Sequence, residues 1–224
     1  MINGFDVNIV ATGSGGNLTI LDGVLALDMG VPFKNVRPLL KALKLVFIGH
    51  EHGDHFAEST IRAVAKARTT IRFCVGPFLE DKLIAAGIDK RNIDVLEPGK
   101  RYDYGVFALE PVRLHHNVPC FGLRIYRTDG RKCFYAVDTG DLEGITAPDY
   151  DLYLVEANHT RDEMEARVEE KMRTGQFAYE IEAAKNHLSY EQAADWLAGN
   201  MGTLSLWIPM HGHKNTEGGN DDGV

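Results

Sequence analysis

The segment GHEHGDH, residues 49–55, constrains this chain more than any other stretch. It places four potential metal ligands, His50, His52, Asp54 and His55, directly behind the apolar run LKLVFI. A short apolar run of this kind reads as a strand, so the ligands begin where the strand ends. Residues two apart on an extended chain point to the same side, which lets His50 and His52 grip one ion. The turn after them re-aims Asp54 and His55 at a second. Neutral imidazole and carboxylate are donors that suit Zn, Mn or Fe. The same residues also read as a solvated polar loop. A loop that continues an apolar strand is partly buried, however, and buried polar clusters are costly unless paired or metal-bound, which favours the metal.

The rest of the chain supplies an ordinary αβ frame. The first half alternates short β-like runs, FDVNIVA, LTILD, VLALD and LKLVFIGH, with Gly-Gly and Asp-Gly turns. Helical stretches follow at about 57–67 and 77–86, the second opening on Pro77 as a first-turn residue. The second half repeats the theme with FALEPVRL, FGLRIY, KCFYAVD and DLYLVEA as strands. A charge-rich helical segment then covers about 161–185, its charges forming a solvated face. SYEQAADWLAGN is another helix, with Ser189 as N-cap and Gln192 closing a capping box, and LSLWIPMH is a last strand. These elements predict one domain over residues 1–214 and a polar, flexible tail over 215–224. Periodicity gives an α/β sandwich with helices outside without separating it from other α/β arrangements.

Composition excludes several alternatives. Lys and Arg number 24 against 32 Asp and Glu, a formal charge of −8, which argues against a broad basic surface gripping duplex phosphate. Cys74, Cys120 and Cys133 are odd in number and form no C-x-x-C pair, so neither a disulfide framework nor a thiolate zinc knuckle is predicted, and a reducing cytoplasm is the expected setting. The sequence shows neither a signal peptide nor a run of about 18 uncharged apolar residues, so no membrane partner is expected.

HEHGDH resembles the H-x-H-x-D-H signature of the metallo-β-lactamase superfamily, and the resemblance continues along the chain in that family's order. TGSGGN and LALDMG, with Asp28, look like the opening turn and strand of the single-domain exonuclease-like and tRNase Z-like branch. VRLHHNV, AVDTGD and IPMHGH look like the strands that carry the remaining ligands, and EANH and NHLSYEQAA resemble two further segments of that branch. The resemblance implies a four-layer αββα sandwich holding two divalent metal ions, Zn, Mn or Fe. Carried over, His50, His52 and one of His115 or His116 hold the first metal, Asp54, His55 and His211 the second, and Asp138 bridges. The family strand runs from a proline to a histidine five residues on, which here leads from Pro111 to His116 and turns His115 to the other face. TGSGGN is given no catalytic part, since it lacks the Gly-Lys-Ser/Thr of a phosphate loop.

Function follows from the same comparison. Asp138 stands where many antibiotic-cleaving relatives have a cysteine, which turns the expectation to phosphodiesters, thioesters or lactones. The leading expectation is a phosphodiesterase or nuclease using a metal-bridging hydroxide, with Asp54 and His187 as catalytic residues, and phosphodiesters, nucleic acid among them, as substrates. His187 either protonates the leaving group or merely caps the following helix. A thioester or lactone hydrolase with the same cage and a non-catalytic metal- or partner-binding member are the rivals. A homodimer is compatible with the chain, and the 160–186 stretch carries no family motif.

Overall fold

A computed structural model of the chain describes residues 1–175 and 185–212. Short apolar runs pair into two six-stranded sheets. The first contains β1 (Val7–Ala11), β2 (Leu18–Leu21), β3 (Leu25–Leu27), β4 (Leu45–Ile48), β5 (Arg72–Val75) and β6 (Ile93–Val95), adjacent in that order. It is antiparallel from β1 to β3 and parallel from β3 to β6. The second contains β7 (Tyr102–Asp103), β8 (Phe107–Leu114), β9 (Cys120–Arg127), β10 (Lys132–Ala136), β11 (Leu152–Glu156) and β12 (Leu206–Met210), again adjacent in sequence order. It is antiparallel from β7 to β10 and parallel from β10 to β12.

Burial explains the layering. All residues of β2, β3, β4 and β11 are buried, as strands covered on both faces require. Alternate side chains of the two sheets meet in one core that includes Leu27, Phe47, Leu123, Tyr135 and Leu154. On the outer face of the first sheet, Val46, Ile48 and Phe73 pack with Ile61 and Val64 of α2 (Glu58–Ala67) and Leu79 and Leu83 of α3 (Pro77–Ala85), after a single-turn α1 (Phe33–Val36). On the outer face of the second, Phe134, Tyr153 and Val155 pack with Ala193, Trp196 and Leu197. These last three belong to the final described helix, Tyr190–Ala198. Helix, sheet, sheet and helix make the four-layer αββα sandwich that the sequence implies.

The charge-rich helix, α4 (Arg161–Thr174), starts on a Thr160–Glu163 capping box, buries none of its side chains and stops at Gly175, whose φ is 70°. The helical expectation over 176–184 and the tail expectation over 215–224 lie outside the described residues. The final helix, α5, uses the Ser189–Gln192 capping box read from the sequence. Strands β5, β6 and β7 were not singled out by pattern. They are four, three and two residues long, too short for a period to show. All three cysteines are buried and unpaired. No helix among the described residues is long and apolar enough to cross a membrane.

Candidate metal centre

Several strands end in the same way, an apolar run closed by an acid or a histidine. Asp28 follows β3, His50 lies two residues past β4, Asp138 two past β10, Glu156 ends β11 and His211 follows β12. Three of these, Asp28, Asp138 and His211, adopt left-handed backbone angles, with φ of 60°, 61° and 55°. Non-glycine residues accept that region at a cost and concentrate there at functional sites, Asp and His more readily than most. The bend turns each side chain off its sheet and across the gap to the others.

The side chains form three groups that share the Asp138 carboxylate, one of them Asp138 with Glu156, His187 and His211. His50, His52, His116 and Asp138 bring one ligand atom each within 4.8 Å of one another, and so do Asp54, His55, Asp138 and His211. Asp138 Oδ2 lies 3.2 Å from His50 Nε2, 3.1 Å from His55 Nε2 and 3.8 Å from His116 Nε2, while its Oδ1 lies 3.3 Å from His211 Nε2. His116 Nε2 stands 3.3 Å from His52 Nδ1, and Asp54 Oδ2 lies 3.4 Å from His211 Nε2.

Buried and unsatisfied atoms test whether such residues fit a metal. Both ring nitrogens of His50 and Oδ1 of Asp138 are shut from solvent and have no hydrogen-bond partner, even though the two side chains are in near contact. Leaving a buried polar atom unmade costs about 1–3 kcal/mol, and more for a charged one, so these atoms are accounted for only if something else binds them. Imidazole and carboxylate donors without a thiolate match a divalent cation of the Zn, Mn or Fe type. The donor set therefore fits.

A family model described as the beta-lactamase superfamily domain matches residues 20–211, most of the chain and the whole cluster. The chain belongs to that superfamily. Over 98 residues it is 31% identical to Ribonuclease Z of Thermosynechococcus vestitus, a stretch covering 39% of this chain and 24% of that protein, so about a quarter of the relative's length is matched. Among solved structures, the metallo-beta-lactamase fold protein YhfI from Bacillus subtilis superposes with a TM-score of 0.69 at 15% identity, covering 92% of this chain and 86% of that one. Human tRNase Z, short form, gives 0.65 at 18% identity, with 92% of each chain covered. At such identities the likeness is one of fold.

In this superfamily member a second tier of contacts aims the cluster. Asp28, 1% exposed, accepts from Gly49 N at 2.8 Å, lies 2.8 Å from His55 Nδ1 and takes a hydrogen bond from the Tyr135 hydroxyl across the inter-sheet core. That leaves His55 Nε2 to face Asp138. Asn158 Nδ2 stands 3.0 Å from His211 Nδ1, and Glu156 Oε1 lies 3.4 Å from the same nitrogen. The TGSGGN turn buttresses the site through its backbone. Asn17 N donates to Asp54 O at 2.7 Å, and Gly30 N to Asn17 O at 2.9 Å, so the turn clamps the loop that carries Asp54.

Electrostatics follow the contacts. Burial opposes ionisation of Asp138, but His50, His55 and His211 outweigh it and hold the carboxyl well below its usual range. Asp28 is likewise lowered, chiefly by His55 against its own burial. Burial pushes His116 down to about 4, which keeps its imidazole neutral, the form that ligates.

His115 and His116 point different ways, and not by strand alternation. Both follow the end of β8, and His116 turns inward while His115 turns out to Asp141, 2.6 Å from its Oδ1. His187 does not cap α5, since Ser189 does. Its Nδ1 lies 2.6 Å from Glu156 Oε1 and 3.5 Å from Asp138 Oδ1, beside the shared carboxylate. Burial disfavours its charged form, and the Glu156 carboxylate overrides that and raises it. The fully buried Glu156 also accepts from Thr139 N at 3.0 Å. Glu156 opens the EANH segment and Asp28 lies in LALDMG. The available signal was an acid closing a wholly apolar strand, the same pattern that marks Asp138.

Proposed function

We propose that this chain is a dinuclear metal-dependent phosphodiesterase acting on nucleic acid or nucleotides. His50, His52 and His116 would hold one ion, Asp54, His55 and His211 the other, and Asp138 both. Divalent ions in such a pair lower the pKa of water to near neutrality and offset charge that builds on the attacked phosphoryl group. Asp54, with a side chain 22% exposed, reaches solvent from the cage and would orient the attacking water.

The observation that carries the reading is the Glu156–His187 pair. A buried carboxylate at 2.6 Å fixes the proton of His187 on Nδ1, which reserves Nε2 for exchange with substrate. At 19% exposure His187 meets solvent while remaining in contact with Asp138, the position needed to protonate a leaving alkoxide as attack proceeds. Poor leaving groups such as the ribose oxygen of a phosphodiester need that proton. The similarity to a protein named Ribonuclease Z points the same way.

A panel of phosphodiester, thioester, lactone and lactam substrates, run with added Mn or Zn, tests the reading. Metal-dependent turnover of the phosphodiester above the others is expected. Preferential turnover of a thioester or lactone would replace it with a carbonyl hydrolase.

A further inference from the structure

Beside the metal cluster, on the far side of His115, lies a second cavity of about 580 Å³, within the range of small-molecule sites of about 300–1,000 Å³. Its floor is apolar: the half-buried Phe78 lies over Leu96 and Phe121, both buried in the inter-sheet core. The two phenyl rings meet edge to face with centroids 5.0 Å apart. Gly76 makes that arrangement possible, because a Cβ there would come within 2.3 Å of the Phe78 ring and 2.9 Å of Phe121. The cavity is joined to the metal centre through backbone. Phe121 N donates to Gly49 O at 3.0 Å, one residue before His50. Leu114, His115 and Pro119 also line an adjoining depression of about 560 Å³ that reaches His116 and Lys185.

The rim is charged. Arg113 lines it, exposed and with no side-chain hydrogen bond or ion pair among the described residues, and so does Glu97, whose carboxylate lies 3.5 Å from Lys100 Nζ. The first turn of α3, Pro77 and Phe78, also opens here, and Gly76 caps it without a side chain, so the positive end of a nine-residue helix points at the cavity. An alkyl chain would use the floor and leave the cation and the helix end unmatched. A flat aromatic ring attached to an anion uses all three.

We propose that this cavity is a nucleobase subsite. It takes the base next to the scissile phosphate against Phe78, with Phe121 packed behind that ring and Arg113 at the base edge, while the α3 N-terminus faces the phosphate side of the same nucleotide. The proposal rests on the phosphodiesterase reading and narrows its substrate class to nucleotidyl esters. The base edge would be read by Arg113 as donor and Glu97 as acceptor.

Two esters with the same leaving group isolate the subsite: thymidine 5′-(p-nitrophenyl) phosphate, which carries a base, and methyl p-nitrophenyl phosphate, which does not. With the metal-loaded protein, Phe78→Ala and Arg113→Ala should each raise KM for the thymidine ester about tenfold, within the usual worth of one base–aromatic contact, and leave the methyl ester unchanged. Arg113→Ala is the variant that does not touch the core. A dinucleotide run alongside tells a nucleic-acid end from a free nucleotide; a selective effect on either upholds the subsite. Equal KM changes on base-bearing and base-free esters, or none on any, would overturn it while leaving the phosphodiesterase reading intact. If the wild type cleaves no phosphodiester, that reading fails. Titration of the wild type and Phe78→Ala with thymidine monophosphate then decides the cavity. Weaker binding by the variant upholds it, and no binding at millimolar ligand overturns it.

Discussion

At the scale of single residues, acid chemistry and ligation can be separated by what each histidine touches. If His187 protonates the leaving group, His187→Ala should keep the metals and the fold, at a modest cost in melting temperature because the buried Glu156 loses a hydrogen bond, yet lower turnover of an alkyl phosphodiester by about 10²–10⁴-fold. The loss should be much smaller on a nitrophenyl ester, which leaves without help. An equal loss on both would remove His187 from proton transfer. His116 and His115 offer a paired comparison, because one faces Asp138 and the other Asp141. His116→Ala should lower metal content and His115→Ala should not, and elemental analysis of the two proteins reads the difference. Tyr135 acts one step further out, through Asp28 on His55. Tyr135→Phe removes a hydrogen bond to a buried carboxylate, so it should cost about 1.5–3 kcal/mol of stability and weaken metal affinity about tenfold or more. Denaturant unfolding and metal titration measure the two effects. The HEHGDH cluster was legible because its ligands are adjacent in sequence, whereas Tyr135 was not, since only the packing of β10 against β3 brings it to Asp28.

Elements position the centre by ending in the right place. Apolar runs and turn residues revealed most strands, and the Ser189 capping box marked the start of α5. The short β5, β6 and β7 stayed hidden, as did the left-handed bends at Asp28, Asp138 and His211, because neither pattern nor propensity reports how a strand terminates. Loop against loop matters as much. Gly30 lies so close to the Asp54 loop that a Cβ would fall 1.6 Å from Asp54 O and 2.7 Å from His55 N. Gly30→Ala must therefore push that loop away, costing about 1–3 kcal/mol as an overpacked site does, and should reduce metal content along with stability. Thermal melting of the variant without metal, compared with its metal content, checks both. Unchanged metal binding would show that the Asp54 loop is not held by this contact.

For the whole molecule, the sandwich brings donors from residue 50 to residue 211 onto one edge, so the cluster exists only when both sheets are paired. Metal binding should then stabilise the fold by mass action, about 4 kcal/mol at a thousandfold excess over Kd, or on the order of 10 °C in Tm for a chain of this size. Chelation should remove that increment and re-addition restore it; a Tm indifferent to chelator would separate the cluster from folding. The alternating short strands and helices showed an α/β class and HEHGDH a metal site, while the four layers and the distant ligands were legible only through the resemblance to the superfamily. The Phe78 and Arg113 cavity was not, because its walls come from α3 and the segment after β6 on one side and from β8 and β9 of the second sheet on the other. The central claim is a two-ion cage with Asp138 as the shared ligand, and metal stoichiometry tests it most directly. Elemental analysis of protein purified without chelator, followed by Mn or Zn titration, should give two ions per chain, with affinity and activity lost together in Asp138→Ala. A stoichiometry of zero, with no binding on titration, would contradict it.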